Sequence, residues 1–172
     1  MASTTSISVS EYLKTSYHPD CEYVDGTVEE RNLGENDHAA VQGALIIFFG
    51  QHQQEWNIEV LPEQRVQVSK TRFRVPDVCL LSLDQPVEQV ITKPPVACIE
   101  VLSPDDTLSR LQLKIRDFQN FGVQNIWIID PDTQRGYDCK TSGWLDANEF
   151  AIPNTPIRLA LPEIFSRIRR RS

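Results

Sequence analysis

Pro94-Pro95-Val96-Ala97-Cys98-Ile99-Glu100-Val101-Leu102-Ser103-Pro104 decides how this chain folds. Val96 to Leu102 is an apolar run interrupted only by Glu100 and closed off by prolines, the pattern of a central strand covered on both faces. An ionised carboxylate seldom enters such a strand, because taking it out of water costs several kcal/mol unless a cation or hydrogen bonds offset the loss. A second acid, Asp77 in Arg74-Val75-Pro76-Asp77-Val78-Cys79-Leu80-Leu81-Ser82, stands at the edge of another apolar strand. Lys114 follows on the next helical segment. Two acids on strands and a lysine on the following helix suggest a divalent metal with a cationic catalyst beside it. The plainer alternative is a pair of structural acids, bonded to a turn, an arginine or backbone amides, with Lys114 as a solvated helix lysine.

Outward from this run, the chain alternates between helix and strand signals. Ser8-Val9-Ser10-Glu11 reads as a capping box for a short helix over Tyr12 and Leu13. Asp25-Gly26 between Cys21–Val24 and Thr27–Arg31 predicts a hairpin, since both turn positions favour positive φ. Ala40, Val41, Ala44, Leu45, Ile47 and Phe48 recur at helical spacing, so a long helix runs from an N-cap at Asn36 or Asp37 to about Gln54. From Ile58 the period becomes two. Phe73, Val75 and Asp77 share one parity and point inward, while Arg72 and Arg74 take the solvent face, with a turn near Ser69-Lys70-Thr71 and a bend at Pro76. Leu83 to Pro95 is a loop. Asp105-Asp106-Thr107 caps a helix that stops at Gly122, and its apolar stripe is Leu108, Leu111, Ile115 and Phe118. Lys114 lies about 70° from the centre of that stripe, a flank from which its stem can follow the core while the ammonium reaches Glu100. Asn125 to Ile129 is a buried strand and Gln134 to Cys139 pairs back. From Gly143 the pattern is irregular, with one short helix around Glu163 to Ile168. The order is helix, hairpin, helix, three strands, helix, two strands, an α/β arrangement with helices flanking a mixed sheet.

At 172 residues one domain is expected, with a core over about residues 8–140 and a less regular extension over 141–172. A hydrophobic share of 40% with 24% charged residues excludes a disordered chain. The longest clean apolar run, Ala44 to Phe49, is far short of the roughly 20 residues of a membrane span. The N-terminus lacks the pattern of a secretory signal. Cys21, Cys79, Cys98 and Cys139 are scattered without zinc spacing and read as buried free thiols, which places the protein in the cytoplasm. The formal net charge of −7 opposes indiscriminate nucleic-acid binding, so any DNA contact needs a local basic patch. By parity Lys70, Arg72 and Arg74 form one such stripe, and Arg110 adds a cation on the later helix. The arginines from Arg167 to Arg171 read as a frayed terminus.

Pro76-Asp77 followed by Glu100-Val101-Leu102 resembles the PD-(D/E)xK signature of the restriction-endonuclease-like superfamily, with Leu102 where the final lysine usually stands. Glu100, Ser103-Pro104, Lys114, Phe118, Gly122-Val123 and Asn125 to Pro131 together are similar to the Uma-type restriction endonucleases, in which the lysine has moved to the helix. Glu22-Tyr23-Val24-Asp25-Gly26 and His38 also match. The resemblance spans roughly residues 8 to 140. It implies a restriction-endonuclease-like core with an N-terminal helix and hairpin, and Mg²⁺-dependent hydrolysis of phosphodiester bonds in DNA. Asp77 and Glu100 would hold Mg²⁺, with Mn²⁺ a possible substitute. Lys114 would be the catalytic cation, Glu22 a fourth member of the site and His38 an accessory. Arg110 stands where the family commonly has an aspartate, and Phe118 where it often has tyrosine. A catalytically degenerate interaction module on the same scaffold, or a hydrolase of a small phosphorylated ligand, are the alternatives, and a homodimer is open to each.

Overall fold

The computed structural model describes residues 6–32 and 35–169. The chain opens with α1 (Val9–Lys14), in which the Ser8 hydroxyl accepts the Glu11 N–H, and the hairpin β1 (Glu22–Val24) and β2 (Thr27–Glu29). Asp25 and Gly26 take φ of 48° and 98° at its turn, the left-handed geometry that the Asp-Gly pair favours. There follow α2 (Asn36–Trp56), β3 (Ile58–Pro62), β4 (Val66–Ser69), β5 (Arg72–Arg74), β6 (Val78–Ser82) and β7 (Ala97–Val101). Then come α3 (Leu108–Phe121), β8 (Ile126–Asp130), β9 (Arg135–Lys140), β10 (Gly143–Ala147), β11 (Glu149–Ala151), β12 (Arg158–Ala160) and α4 (Leu161–Ser166). The N-cap of α2 is Glu35, one residue ahead of Asn36 and two ahead of Asp37, the expected caps, and its side chain makes no capping bond.

A mixed six-stranded sheet, in the order β10-β9-β8-β7-β6-β3, carries the core. β7 sits inside it, parallel to β8 and antiparallel to β6, and all five of its residues are buried. One sheet face presents Val78, Leu80, Ile99, Trp127 and Ile129 to α2 and the C-terminal segment, where Trp127 stacks on Phe150 at 4.9 Å. Gly136 permits that approach, since a Cβ there would lie 2.6 Å from Leu161 Cδ1 and 2.7 Å from Phe150 Cζ. The opposite face presents Cys79, Leu81, Cys98, Ile126 and Ile128 to Ile115 and Phe118 of α3 and to Val66 and Val68 of β4. All four cysteines are free and buried.

The irregular stretches of sequence hide more strands than expected. Five strands, not three, lie between α2 and α3, and the segment after Gly143 forms β10, β11 and β12 before α4. Strands of three residues carry too little alternation to be recognised. Pro76 also does more than bend a strand: β5 ends at Arg74 and belongs to a separate four-stranded sheet, β2-β1-β5-β4, while β6 enters the six-stranded one. Phe73 packs with Tyr12 and Tyr23 on one side of the smaller sheet.

That division corrects the place of Arg74. Expected on the solvent face, it is buried at 2% exposure, because Asp117 of α3 covers that side of β5. Parity separates two faces of a strand but does not say which is open. Arg74 Nε donates to Asp117 Oδ2 at 2.8 Å and Nη1 to Glu22 Oε2 at 2.7 Å. Arg74→Met should therefore destabilise the protein by about 3 kcal/mol, since it removes the buried cation shared by Glu22 and Asp117 and leaves each with a single remaining partner charge, Lys114 and Arg72. Urea melts check this, and a change below about 1 kcal/mol would show that the pairs contribute little.

Candidate active site

Asp77 precedes β6 and Glu100 lies on β7, and the pairing Val78↔Ile99 sets the two acids opposite one another one step further along. Each shares parity with the residues facing α3, Asp77 with Cys79 and Glu100 with Cys98. Lys114 projects from α3 into the same place. Its Nζ donates to Glu100 Oε2 and to the Val75 carbonyl, both at 2.8 Å, and lies 2.8 Å from Glu22 Oε1. Glu22 comes from β1, opposite Arg74 when the pairing Tyr23↔Phe73 is continued, and its Oε1 also accepts the Val75 N–H at 2.9 Å. His38, in the first turn of α2, places Nε2 3.3 Å from Asp77 Oδ2. The structure thus brings together Asp77, Glu100, Lys114, Glu22 and His38, all lining one cleft of about 100 Å³.

The basic candidates divide. Arg110 is exposed and lines the cleft mouth, where it donates to the Glu30 carbonyl at 3.0 Å. Lys70 is exposed on the β4–β5 turn, away from the cleft lining. Arg72 is half-buried between Asp25 (2.6 Å) and Asp117 (2.8 Å), its charge already matched. Arg74 touches the cleft lining but is buried, with its charge taken by Glu22 and Asp117. Of the terminal arginines, Arg167 pairs with Glu163 at 2.9 Å, while Arg170 and Arg171 lie outside the described residues.

Three residues of the cluster escaped the sequence reading. Arg31, just past β2, donates to Asp77 Oδ1 at 2.6 Å. Gln42 of α2 donates to the Asp77 main-chain carbonyl at 2.9 Å. Asp117 anchors Arg74 and Arg72 from α3. Only Asp117 had a signal: it stands three residues after Lys114 and therefore on the same helix face.

The charges settle unequally. Burial acts to raise the pKa of Glu22, Asp77 and Glu100, but in Glu22 the Lys114 and Arg74 charges outweigh it and hold the group below its usual range. For Asp77 the His38 hydrogen bond and the charges of Lys114 and Arg31 do the same. For Glu100 burial comes first and the neighbouring Asp77 and Glu22 charges add to it, outweighing the Lys114 charge, so the group is pushed up to about 8. Its Oε1 is buried and has no hydrogen-bond partner among the described residues. Burial disfavours charged Lys114 too, yet Glu100, Glu22 and Asp77 outweigh it and hold the ammonium above its normal value. One buried carboxyl therefore lacks a full share of cation.

The family model described as Uma2, putative restriction endonuclease, matches residues 9–141. The chain belongs to the Uma2 family. The fold of this Uma2 protein is shared by the crystal structure of a putative nuclease belonging to DUF820 from Anabaena variabilis, with a TM-score of 0.78 and 21% identity over 94% of this chain and 98% of that one. A cryoEM structure of a DrdV-DNA complex aligns at a TM-score of 0.44 and 14% identity, covering 73% of this chain and 10% of the other. No curated protein matches.

Asp77 and Glu100 are the residues of this Uma2 site that could hold a divalent ion. Among the described residues no group of three or more His, Cys, Asp or Glu side chains is arranged as an ion cage. Both Asp77 oxygens already have partners, Arg31 at Oδ1 and the Val101 N–H and His38 at Oδ2, so among the described residues Glu100 Oε1 is the oxygen of the pair left open to a hard cation such as Mg²⁺, which takes one or two carboxylates and keeps several waters. The partnerless Glu100 Oε1 fits such a cation. Among the described residues no helix is long and apolar enough to cross a membrane.

Proposed function

We propose that the chain is a Mg²⁺-dependent endonuclease that hydrolyses phosphodiester bonds in DNA. The observation that carries this reading is the buried ammonium of Lys114 held between Glu22 and Glu100, with Asp77 opposite Glu100 at the floor of one cleft. Asp77 and Glu100 are the Mg²⁺ ligands, and Mn²⁺ is an acceptable substitute. The ion, when bound, activates a water and offsets charge on the scissile phosphate. Lys114 supplies a fixed positive charge at the same phosphate, where a preorganised donor is worth most because water is excluded. Glu22 and the Val75 carbonyl hold that ammonium in place, so it pays little reorganisation as charge develops. His38 and Val101 fix the Asp77 carboxylate, the latter through its N–H at 2.7 Å from Oδ2. Arg110, at the mouth, is the DNA-contact residue best placed to meet a phosphate.

The cleft volume favours a polymer over a small ligand. Sites that enclose a small molecule are usually about 300–1,000 Å³, whereas this one, at about 100 Å³, suits a backbone phosphate presented from outside. The acidic balance supports a second reading, a nuclease scaffold kept as an interaction module. Incubating the full chain with short duplex and single-stranded DNA in Mg²⁺ or Mn²⁺ separates the two. Metal-dependent strand scission is the expected result, and tight metal binding without cleavage of any nucleic acid would establish the module.

A further inference from the structure

The partners of Asp77 differ in how easily they can move. Oδ2 accepts the Val101 N–H at 2.7 Å and faces His38 Nε2 at 3.3 Å. The first donor is main chain of β7, locked by the Val101↔Ile129 pairing, and the second is a buried residue of α2. The Asp77 carbonyl is held as well, by the Glu63 N–H at 3.2 Å and Gln42 Nε2 at 2.9 Å. Oδ1 instead meets Arg31 Nη2 at 2.6 Å, on a long side chain outside any helix or strand. The other amino group of Arg31 already reaches outward, 3.4 Å from Oε1 of half-exposed Glu63.

We infer that Arg31 guards Asp77 and is exchanged on loading: its guanidinium leaves Oδ1 when a divalent cation binds and takes a phosphate oxygen of the DNA instead. The inference rests on the proposed metal site. A dication on Asp77 repels a guanidinium on the same carboxylate, and Arg31, with a side chain 13% exposed, is the one described donor to that carboxylate that lies outside a helix or strand. Arg31 lines the cleft together with Arg110 and Asn32, so the released guanidinium remains where a phosphate at the cleft would meet it. A guanidinium there presents paired donors that match phosphate oxygens. The chain carries a net charge of −7, so it gains affinity for DNA chiefly when loaded, as the ion and the released arginine both add positive charge at the mouth. By linkage, DNA then tightens metal binding by the same factor that metal tightens DNA binding.

The test uses the full chain stripped of metal. Mg²⁺ is titrated calorimetrically into the unaltered protein, Arg31→Met and Asp77→Asn, and binding of a short duplex is measured with and without Ca²⁺, another hard dication with oxygen ligands. Arg31→Met should bind Mg²⁺ about tenfold more tightly, because the ion no longer displaces a charge-assisted hydrogen bond. The same variant should lose most of the gain in DNA affinity that Ca²⁺ confers. A merely structural arginine would give the opposite first result, since its loss would loosen Asp77 and weaken Mg²⁺ binding. Equal or weaker Mg²⁺ affinity in Arg31→Met, with Asp77→Asn abolishing it, overturns the exchange and leaves the metal site standing. Tighter Mg²⁺ with the DNA gain intact overturns the transfer to phosphate. Unchanged affinity in Asp77→Asn removes the metal site itself. Arg31→Lys, which keeps the charge without the paired donors, should fall between the parent and Arg31→Met, and it gives the same decision should the methionine variant fail to fold.

Discussion

Lys114→Ala is expected to lower DNA turnover by about 100- to 1,000-fold, the usual loss when one preorganised donor is removed from a developing charge. Mg²⁺ affinity should change little, because a cation is not a ligand. The substitution leaves Glu22 Oε1 and Glu100 Oε2 without their ammonium, so a lower melting temperature will accompany the loss and must be separated from it. A rescue variant does that. Leu102 shares parity with Glu100, the position where the superfamily signature places its lysine, and its own N–H is secured to the Ile129 carbonyl at 2.9 Å. Lys114→Ala combined with Leu102→Lys should recover part of the activity, at a stability cost from placing a charge in a partly buried apolar site. Single-turnover kinetics at saturating Mg²⁺ give the reading. Full activity in Lys114→Ala alone would remove Lys114 from the chemistry.

What the sequence made legible were features governed by neighbours in the chain. The Asp25-Gly26 turn, the Thr107 cap, the stop at Gly122 and the buried run around Glu100 are local signals, and each stands where it was expected. Lys114, Glu22 and His38 were named chiefly through the family resemblance, whereas Asp77 and Glu100 could be singled out because a charge inside an apolar pattern is conspicuous. Arg31 could not, since a charged residue at the end of a hairpin strand looks like any solvated one until Asp77, far along the chain, is set against it. Arg74 misled for a related reason. Both faces of β5 are covered, one by Tyr12 and Tyr23 and the other by Asp117, so alternation there marks two kinds of interior rather than interior and solvent. The split into two sheets at Pro76 was hidden because a proline reports the loss of a ladder hydrogen bond, not where the chain goes next.

The charge balance of the cleft also explains why an acidic protein can keep three carboxylates so close. Glu22, Asp77 and Glu100 face Arg31, Arg74 and Lys114, and Asp117 with Arg72 continues the alternation outward. Such a network costs desolvation energy that hydrophobic packing would avoid. Glu100 is the member least well matched, with one oxygen lacking any partner among the described residues.

That imbalance sets up the most direct measurement. Mg²⁺ is titrated calorimetrically into the metal-free chain and into Asp77→Asn and Glu100→Gln. Each substitution removes a hard oxygen ligand and a negative charge, so each should abolish measurable Mg²⁺ binding while the fold persists. Glu100→Gln should melt at the same temperature as the metal-free parent or above it, because it relieves repulsion among the acids. Mg²⁺ affinity unchanged in both folded variants would contradict the assignment of Asp77 and Glu100, and with it the metal-dependent hydrolysis proposed for this chain.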